Sequence, residues 1–431
     1  MMNTRSITRL LAVGAVAALT IAGVTACGST PGDSDGKVTL TWWHNGTGEP
    51  LKGYWQSVAD QFEDDHPNVT INVEAIQNEE LQRTKIPNAL RGNTPPDLFQ
   101  QWGGGELATQ VEAGRVLDIS ADVGDELESL GGSVAGWQVD GKTYGLPFSL
   151  GIEGFWYNKT LFADAGIEGT PTTLDELNDA IAKLKAADIT PIAVGAGDKW
   201  PAAHYWYNFA LKSCSPDTLK AASSSLDFSD PCFLDAGDDL KTFIASEPFQ
   251  EGFLATPAQQ GAGSSAGLLA NGKAGMELMG HWNPGVMGGL TEDGKGLGDE
   301  LGWFTFPGIE GSAGDPTAAL GGGDGFSCSY KAPPECVELL KYIASVDVQT
   351  KFAETGAGLP VAAGAEVGVT DPNMQALLEA RNGATYVQLW LDTAYGPTVG
   401  GAMNDAIANM FAGKASPEDI VSAMNDAAAT L

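Results

Sequence analysis

The first part of the chain alternates strand and helix patterns, and this alternation limits the fold more than any other feature. Apolar side chains alternate along residues 37–43 and 69–75, whereas residues 51–62 place them at the i, i+3, i+4, i+7 spacing of a helix. A third strand is predicted at 98–102, and a helix follows each of the last two strands. Strands and helices in this order form a parallel α/β sheet with right-handed crossovers.

Ligands of open parallel sheets bind beyond the carboxyl ends of the strands. The aromatic and polar side chains at these ends are Trp43, Gln77, Gln101 and Trp102. Neighbouring side chains of a strand point to opposite faces, so we expect Trp42 in the core and Trp43 free to contact a ligand. Asn45 is a further ligand candidate, and His44 is either a ligand or a strand cap. A capped strand end without any ligand is the alternative for the whole stretch.

Size and charge narrow the possible functions. The chain has 431 residues, which is too long for one ordinary core and predicts two domains. Of these residues, 43% are apolar. The formal net charge of −32 argues against a nucleic acid or an anionic membrane surface as partner, because phosphate binding needs clustered cations. The same charge disfavours an anionic ligand.

The N-terminus has the pattern of an export signal. A short cationic lead precedes an apolar run at 10–24 that is too short to be assigned as a membrane span. The small residues before Cys27 resemble the lipobox of bacterial lipoproteins. This resemblance implies a signal peptide at 1–26 and lipidation of Cys27. The lipidated cysteine and a flexible tether together form 27–36. We expect a protein on the extracellular face of the cell membrane that contacts the membrane through lipid only.

The other four cysteines agree with export to an oxidising compartment. Cys214 lies close in sequence to Cys232, and Cys328 to Cys336, so we predict these two local disulfides among three possible connectivities. A zinc site is the rival interpretation, but neither pair has C-x-x-C spacing and the four histidines are scattered. We predict neither a bound metal nor a cofactor.

Short motifs in a fixed order extend over nearly the whole chain after Cys27. They are Thr41-Trp42-Trp43, 92–97, Tyr144-Gly145-Leu146-Pro147, Trp156-Tyr157-Asn158-Lys159, 171–177, 271–276, Gly280-His281-Trp282, 352–356 and Gly358-Leu359-Pro360-Val361. With these motifs the chain resembles the extracellular solute-binding proteins of bacterial ABC importers, in the large group that captures oligosaccharides. The resemblance implies a two-domain α/β fold of the type II periplasmic-binding-protein-like class, with an interdomain ligand cleft and several hinge crossings.

Both domains are predicted to be discontinuous because the chain crosses between them more than once. Residues 147–158 predict one crossing strand, Thr173 and Glu176 a capping box, and 190–195 a further strand. The predicted boundaries are 37–148 plus 281–330 for the N-terminal domain and 149–280 plus 331–431 for the C-terminal domain.

Sugar receptors cover the apolar C–H faces of pyranose rings with aromatic side chains and bind the hydroxyls with amides and carboxylates. Trp42, Trp55 and Trp156 fall on core-facing positions. The other aromatic ligand candidates are Trp200, Trp206, Trp282 and Trp390. The other polar candidates, each also open to a purely structural role, are Glu153, His204, Asn283 and Asp324.

The resemblance further implies a monomer that captures a neutral oligosaccharide by hinge closure and delivers it to the permease subunits of an ABC transporter. Residues 42–46 and 100–105 look like the branch that binds xylo-oligosaccharides such as xylobiose. Receptors for cellobiose, chitobiose and maltose share the scaffold, so these three sugars are alternative ligands. The high Gly and Ala content suggests a Gram-positive, actinobacterial source.

A secreted glycoside hydrolase is the alternative from a different class. Glycoside hydrolysis needs two carboxylates that face each other across the scissile bond at a set distance. Adjacent acidic residues such as Glu79 and Glu80 point away from each other on a helix or strand. We therefore predict that the protein is not an enzyme.

Overall fold

The computed structural model describes residues 36–431. The predicted signal peptide, the predicted lipidation at Cys27 and nearly all of the predicted tether lie outside the described residues. Across 36–431, none of the helices combines the length and the apolar character needed to cross a membrane.

Eleven strands are described. They are β1 (Val38–His44), β2 (Val69–Ala75), β3 (Leu98–Gln101), β4 (Gln138–Val139), β5 (Lys142–Thr143), β6 (Leu146–Ile152), β7 (Gly154–Asn158), β8 (Met276–Met279), β9 (Leu301–Thr305), β10 (Ala319–Cys328) and β11 (Val387–Leu389).

The described helices surround these strands. They are α1 (Leu51–Asp65), α2 (Asn78–Glu80), α3 (Ile86–Arg91), α4 (Gly104–Glu112), α5 (Gly124–Leu130), α6 (Lys159–Asp164), α7 (Leu174–Ala186), α8 (Trp200–Ser213), α9 (Pro216–Ser225), α10 (Cys232–Ala245), α11 (Ser265–Ala270), α12 (Asn283–Gly288), α13 (Pro334–Ile343), α14 (Val346–Glu354), α15 (Pro372–Gly383), α16 (Leu391–Ala394), α17 (Gly396–Phe411) and α18 (Pro417–Ala428). A π-helical turn, Leu81–Lys85, joins α2 to α3.

The largest sheet has the order β11-β10-β3-β1-β2, and β6 also pairs with β10. β1 pairs in parallel with β2 and β3, which confirms the strand–helix alternation predicted for the first part of the chain. β10 runs antiparallel to β3 and β6 and parallel to β11, so the sheet is mixed. A second sheet of three antiparallel strands has the order β8-β7-β9.

Two local predictions fail and one is confirmed. The single strand predicted at 147–158 is wrong: it breaks at Glu153, where β6 leaves the large sheet and β7 enters the small one. The strand predicted at 190–195 is also wrong, because Ile192 makes only isolated bridges to Phe249 and Met276. The capping box at Thr173 and Glu176 is present at the start of α7.

Buried apolar side chains form two large clusters and one smaller cluster. The sheet cluster contains Trp42, Trp55 and Phe326, and the helix cluster contains Trp206 and Leu391. α13 and α14 also bury their apolar faces in the sheet cluster, although the predicted boundaries assign them to the other domain. The chain from Val38 to Leu431 forms one compact unit, and the two-domain division stays a prediction.

Each large cluster contains one disulfide. Cys214 pairs with Cys232 in the helix cluster, and Cys328 pairs with Cys336 in the sheet cluster. Both predicted pairings are confirmed.

Candidate functional site

A cavity of about 380 Å³ lies at the carboxyl ends of the parallel strands. The segment after β1, the helices after β2, Trp102 after β3 and Trp390 after β11 all contribute to its lining. Residues of α8 and α12 also line it. Its volume is within the range of small-molecule sites, and its position is the one that a parallel sheet favours for a ligand.

One side of the cavity, which we call the tryptophan wall, consists of Trp200, His204, Trp282 and Trp390. The rings contact one another: the centroids of Trp282 and Trp390 are 5.7 Å apart at 70°, and those of Trp200 and Trp282 are 6.3 Å apart at 60°. His204 stacks on Trp390 with centroids 4.9 Å apart and an interplanar angle of 2°. The mutual packing fixes the orientation of each ring, so the wall is a preformed aromatic surface.

The position of Trp390 depends on the glycine-rich strand β10. A Cβ atom at Gly322 would collide with the indole of Trp390, and a Cβ atom at Gly323 would collide with the backbone of Ser149. The run of glycines therefore lets an indole pack directly on the backbone of the sheet. The glycines serve packing here, and Asp324 is the residue of the run 321–325 that lines the cavity.

His204 is held by a buried carboxylate. Its Nδ1 lies 2.6 Å from Oε1 of Glu153, and the amide of Asn208 donates to Oε2 of Glu153 at 2.7 Å. When Nδ1 carries the proton that Glu153 accepts, Nε2 is the ring nitrogen left for another partner. Glu153 lies at the break between β6 and β7, so the crossing itself orients a residue of the tryptophan wall.

A second group of lining residues, which we call the polar wall, consists of Asn45, Asn78, Gln82 and Asp324. The amide of Asn45 donates to Oδ1 of Asn78 at 3.0 Å, and the amide of Gln82 donates to Oε2 of Glu106 at 2.8 Å. Each side-chain amide has several donor and acceptor positions, so these bonds leave others for a ligand. The polar wall can bind hydroxyl groups in a fixed pattern.

Asp324 is the carboxylate of the polar wall. Burial raises the pKa of Asp324 to about 6, and hydrogen bonds from Gln100 and Trp102 oppose this rise. The amide of Gln100 donates to Oδ1 at 2.7 Å. His281, at the edge of the tryptophan wall, stays neutral because burial lowers its pKa to about 3.

Seven of the fourteen predicted ligand residues line this cavity. They are Asn45, Trp102, Trp200, His204, Trp282, Asp324 and Trp390. The signal that found them was position: each follows a strand end or a glycine or lies at the start of a helix beside such an end.

The other seven lie outside the lining. Nδ1 of His44 accepts from the backbone N–H of Gly46 at 3.1 Å, so His44 acts as a strand cap; burial lowers its pKa to about 4. Trp43 is half-buried and packs against the sheet cluster, and Trp206 is buried against Phe233. Glu153 is buried behind His204.

The last three form hydrogen bonds within the protein. Gln77 caps α2 by accepting from the backbone N–H of Glu80 at 2.9 Å. Gln101 accepts from the backbone N–H of Trp102 at 2.9 Å, which fixes the loop that presents this indole. Asn283 donates to Glu277 at 2.8 Å. These residues support the cavity lining without belonging to it.

Sequence reasoning missed several cavity residues. Asn78 and Gln82 belong to the helical segment after β2, and Asp392 lies two positions after Trp390. Asn78 and Asp392 are close in sequence to predicted residues, so a wider window around each strand end would have found them. Gln259 and Gln260 lie in a loop far from any strand end, and the sequence carries no signal for them.

Solved protein structures share this architecture. A structure from a study of xylan utilization by the thermophilic bacterium Caldanaerobius polysaccharolyticus has a TM-score of 0.82 at 28% identity, covering 90% of this chain and 99% of that chain. A chitin oligosaccharide binding protein has a TM-score of 0.81 at 24% identity, covering 91% and 98%. The fold is therefore the type II periplasmic-binding-protein-like α/β fold, as the resemblance implied.

The family described as bacterial extracellular solute-binding protein matches residues 46–350, and the chain belongs to this family. The diacetylchitobiose binding protein of Streptomyces coelicolor is 30% identical over 314 residues, which are 68% of this chain and 69% of that protein. The multiple sugar-binding protein of Streptococcus mutans is 24% identical over 347 residues, 76% and 75% of the two chains.

Proposed function

We propose that the protein is an extracellular receptor that captures a neutral oligosaccharide and delivers it to the permease of an ABC transporter. The composition of the cavity carries this proposal: aromatic rings form one wall, and amides with a carboxylate form the other. Pyranose rings present apolar C–H faces and a belt of hydroxyls, which these two walls match. The two sugar-binding relatives support the same ligand class.

We propose seven direct ligand contacts, those predicted residues that line the cavity. The indoles of Trp200, Trp282 and Trp390 cover sugar faces, and Asn45 and Asp324 bind hydroxyls. Trp102 contributes a further indole beside Asp324, and His204 offers Nε2 while Glu153 holds Nδ1.

Within this ligand class we propose xylobiose or another xylo-oligosaccharide. The segments 42–46 and 100–105 support this choice, as does the similarity at 28% identity to the structure from the study of xylan utilization. Chitobiose is the second candidate, because the diacetylchitobiose binding protein is 30% identical to this chain. Cellobiose and maltose complete the set to be compared.

Capture is proposed to occur by hinge closure of two discontinuous domains with the predicted boundaries. The cavity lining joins segments of the sheet cluster to segments of the helix cluster, and the chain crosses from one sheet to the other at Glu153. A ligand that contacts both walls favours the closed arrangement by its differential affinity for it. The receptor is proposed to be a monomer, lipid-anchored through Cys27, that releases its sugar unchanged.

Calorimetric melting with a panel of xylobiose, cellobiose, diacetylchitobiose and maltose tests the proposal. A sugar present at about 100 times its dissociation constant stabilises the folded state by about 2.7 kcal/mol. We expect the largest rise in melting temperature with xylobiose, and no rise with any sugar would contradict the receptor function. Chromatography of the sugar after incubation separates the two classes of function, since a hydrolase would leave monosaccharides.

A further inference from the structure

One ion pair connects the two large buried clusters beside the cavity. Nη2 of Arg83 lies 2.7 Å from Oδ2 of Asp392, across 309 positions of sequence. Leu81 and Ile86, on either side of Arg83, are buried in the sheet cluster, and Leu391 is buried in the helix cluster.

The local backbone points the neighbouring side chains Gln82 and Arg83 toward different partners. Both lie in the π-helical turn Leu81–Lys85, which interrupts an otherwise α-helical segment. π-helical turns are rare and occur frequently at functional sites. Here the turn places Gln82 in the cavity lining and directs Arg83 to Asp392.

Asp392 is both a cavity residue and the end of a buried hydrogen-bond network. Its Oδ2 accepts from Arg83 and from the amide of Asn404 at 3.1 Å, and its Oδ1 accepts from the backbone N–H of Thr393 at 2.9 Å. The hydroxyl of Tyr207 donates in turn to Asn404. A carboxylate held at both oxygens has one orientation, and this orientation presents it to the cavity.

We propose that Arg83 is a positioning residue: it fixes Asp392 for ligand binding and stabilises the arrangement in which the two sides of the cavity meet. The proposal rests on the receptor function proposed above. An arginine side chain stays charged in proteins, and its planar guanidinium is suited to holding a carboxylate. Removing one partner of a largely buried pair leaves the other charge uncompensated, whereas removing both does not.

The test compares Arg83→Met, Arg83→Lys, Asp392→Asn and the double variant Arg83→Met/Asp392→Asn. Lys85→Met is the matched control, because Lys85 lies in the same π-helical turn but its side chain is 41% exposed and its Nζ is 3.8 Å from Oε1 of Glu80, a weaker contact than that of Arg83 with Asp392. Affinity is measured by calorimetry for the disaccharide that stabilises the wild-type protein most. The radius of gyration of the ligand-free protein is measured by small-angle X-ray scattering.

We expect Arg83→Met to weaken binding at least tenfold and to raise the ligand-free radius of gyration, and Arg83→Lys to recover part of both. The double variant should bind no more weakly than Arg83→Met, and Lys85→Met should equal the wild type. Affinity of Arg83→Met within twofold of the wild type, or an unchanged radius, would overturn the proposal. The proposal would also be overturned if the losses of affinity in Arg83→Met and Asp392→Asn added up in the double variant.

The scattering comparison separates this proposal from the receptor function. If the wild-type protein binds no sugar of the panel, the receptor function fails. The radii of the ligand-free variants still show whether the ion pair holds the two sides together. Circular dichroism of each variant confirms that it is folded.

Discussion

The tryptophan wall and the polar wall line the same cavity but are built differently. The rings of the tryptophan wall contact one another directly and are also packed on glycine backbone, so their surface is rigid and mostly apolar. The members of the polar wall are spaced by hydrogen bonds such as that from Asn45 to Asn78. For the proposed sugar ligand, this contrast predicts a division of roles: we expect most of the affinity from the tryptophan wall and most of the selectivity from the polar wall.

The physical basis of this division is the difference between the two kinds of contact. Burial of apolar surface is non-directional and similar for any pyranose face, at about 25 cal/mol per Å². Hydrogen bonds add little net free energy, but a hydroxyl in the wrong place leaves a buried donor or acceptor unpaired, which costs about 1 to 3 kcal/mol. We therefore expect the polar wall to recognise the stereochemistry of the proposed sugar ligand.

The largest effect is expected for Trp282→Ala on the tryptophan wall. Loss of one indole from the centre of a binding site should cost about 2 to 3 kcal/mol, or roughly 30- to 150-fold in dissociation constant. Titration calorimetry with xylobiose measures this loss. The loss should be similar for every disaccharide that binds.

Trp43→Ala is the matched control, because Trp43 is half-buried against the sheet cluster outside the cavity. We expect a lower melting temperature and an unchanged dissociation constant. The sequence alone predicted both indoles as ligands. Equal loss of affinity in the two variants would restore that prediction and show that the cavity lining omits a contact.

A smaller loss of affinity, together with a change in selectivity, is expected for Asn78→Ala. Asn78→Ala removes an amide of the polar wall and should cost about 1 kcal/mol. It should also change the ratio of affinities for cellobiose and lactose, which differ in the orientation of one hydroxyl. Trp282→Ala should leave that ratio unchanged.

Asn72→Ala is the control for Asn78→Ala, since Asn72 is exposed on β2 away from the cavity. Competition calorimetry gives the ratio for each variant. A changed ratio in Trp282→Ala together with an unchanged ratio in Asn78→Ala would reverse the roles of the two walls.

Much of the fold was predictable because its signals are local. The alternation along β1 and β2, the capping box at Thr173 and the two disulfides between cysteines near in sequence all depend on short-range patterns. The break at Glu153 was not predictable, because it depends on contacts with His204 and Leu320, which lie far along the chain.

The cavity was half predictable for a related reason. Trp43 points away from Trp42, as alternation requires, but β1 lies between β2 and β3 and has apolar neighbours on both faces, so neither indole is free. Gln82 was missed because a π-helical turn shifts the side chains that follow, and a 3.6-residue period does not register that shift. Strand ends can be found from sequence, but the residues brought to them from elsewhere cannot.

The smallest effect is a pH dependence that belongs to the polar wall. Burial raises the pKa of Asp324 from 3.8 to about 6, so in the folded protein this carboxyl binds its proton more tightly than in the unfolded chain. Its contribution to the free energy of unfolding is therefore complete below about pH 4 and is lost as the pH rises through about 6. Asp324 keeps part of its surface open to the cavity, so we expect a loss of only about 1 kcal/mol.

Asp324→Asn removes this titration, and its amide oxygen can still accept from Gln100. Relative to wild type, the melting temperature of Asp324→Asn should rise between pH 4 and pH 7 by about 2 °C. Trp282→Ala should follow the wild-type curve over the same range, since the indole does not titrate. If the difference between Asp324→Asn and wild type stays constant with pH, Asp324 does not titrate in this range, and the polar wall carries a full negative charge throughout.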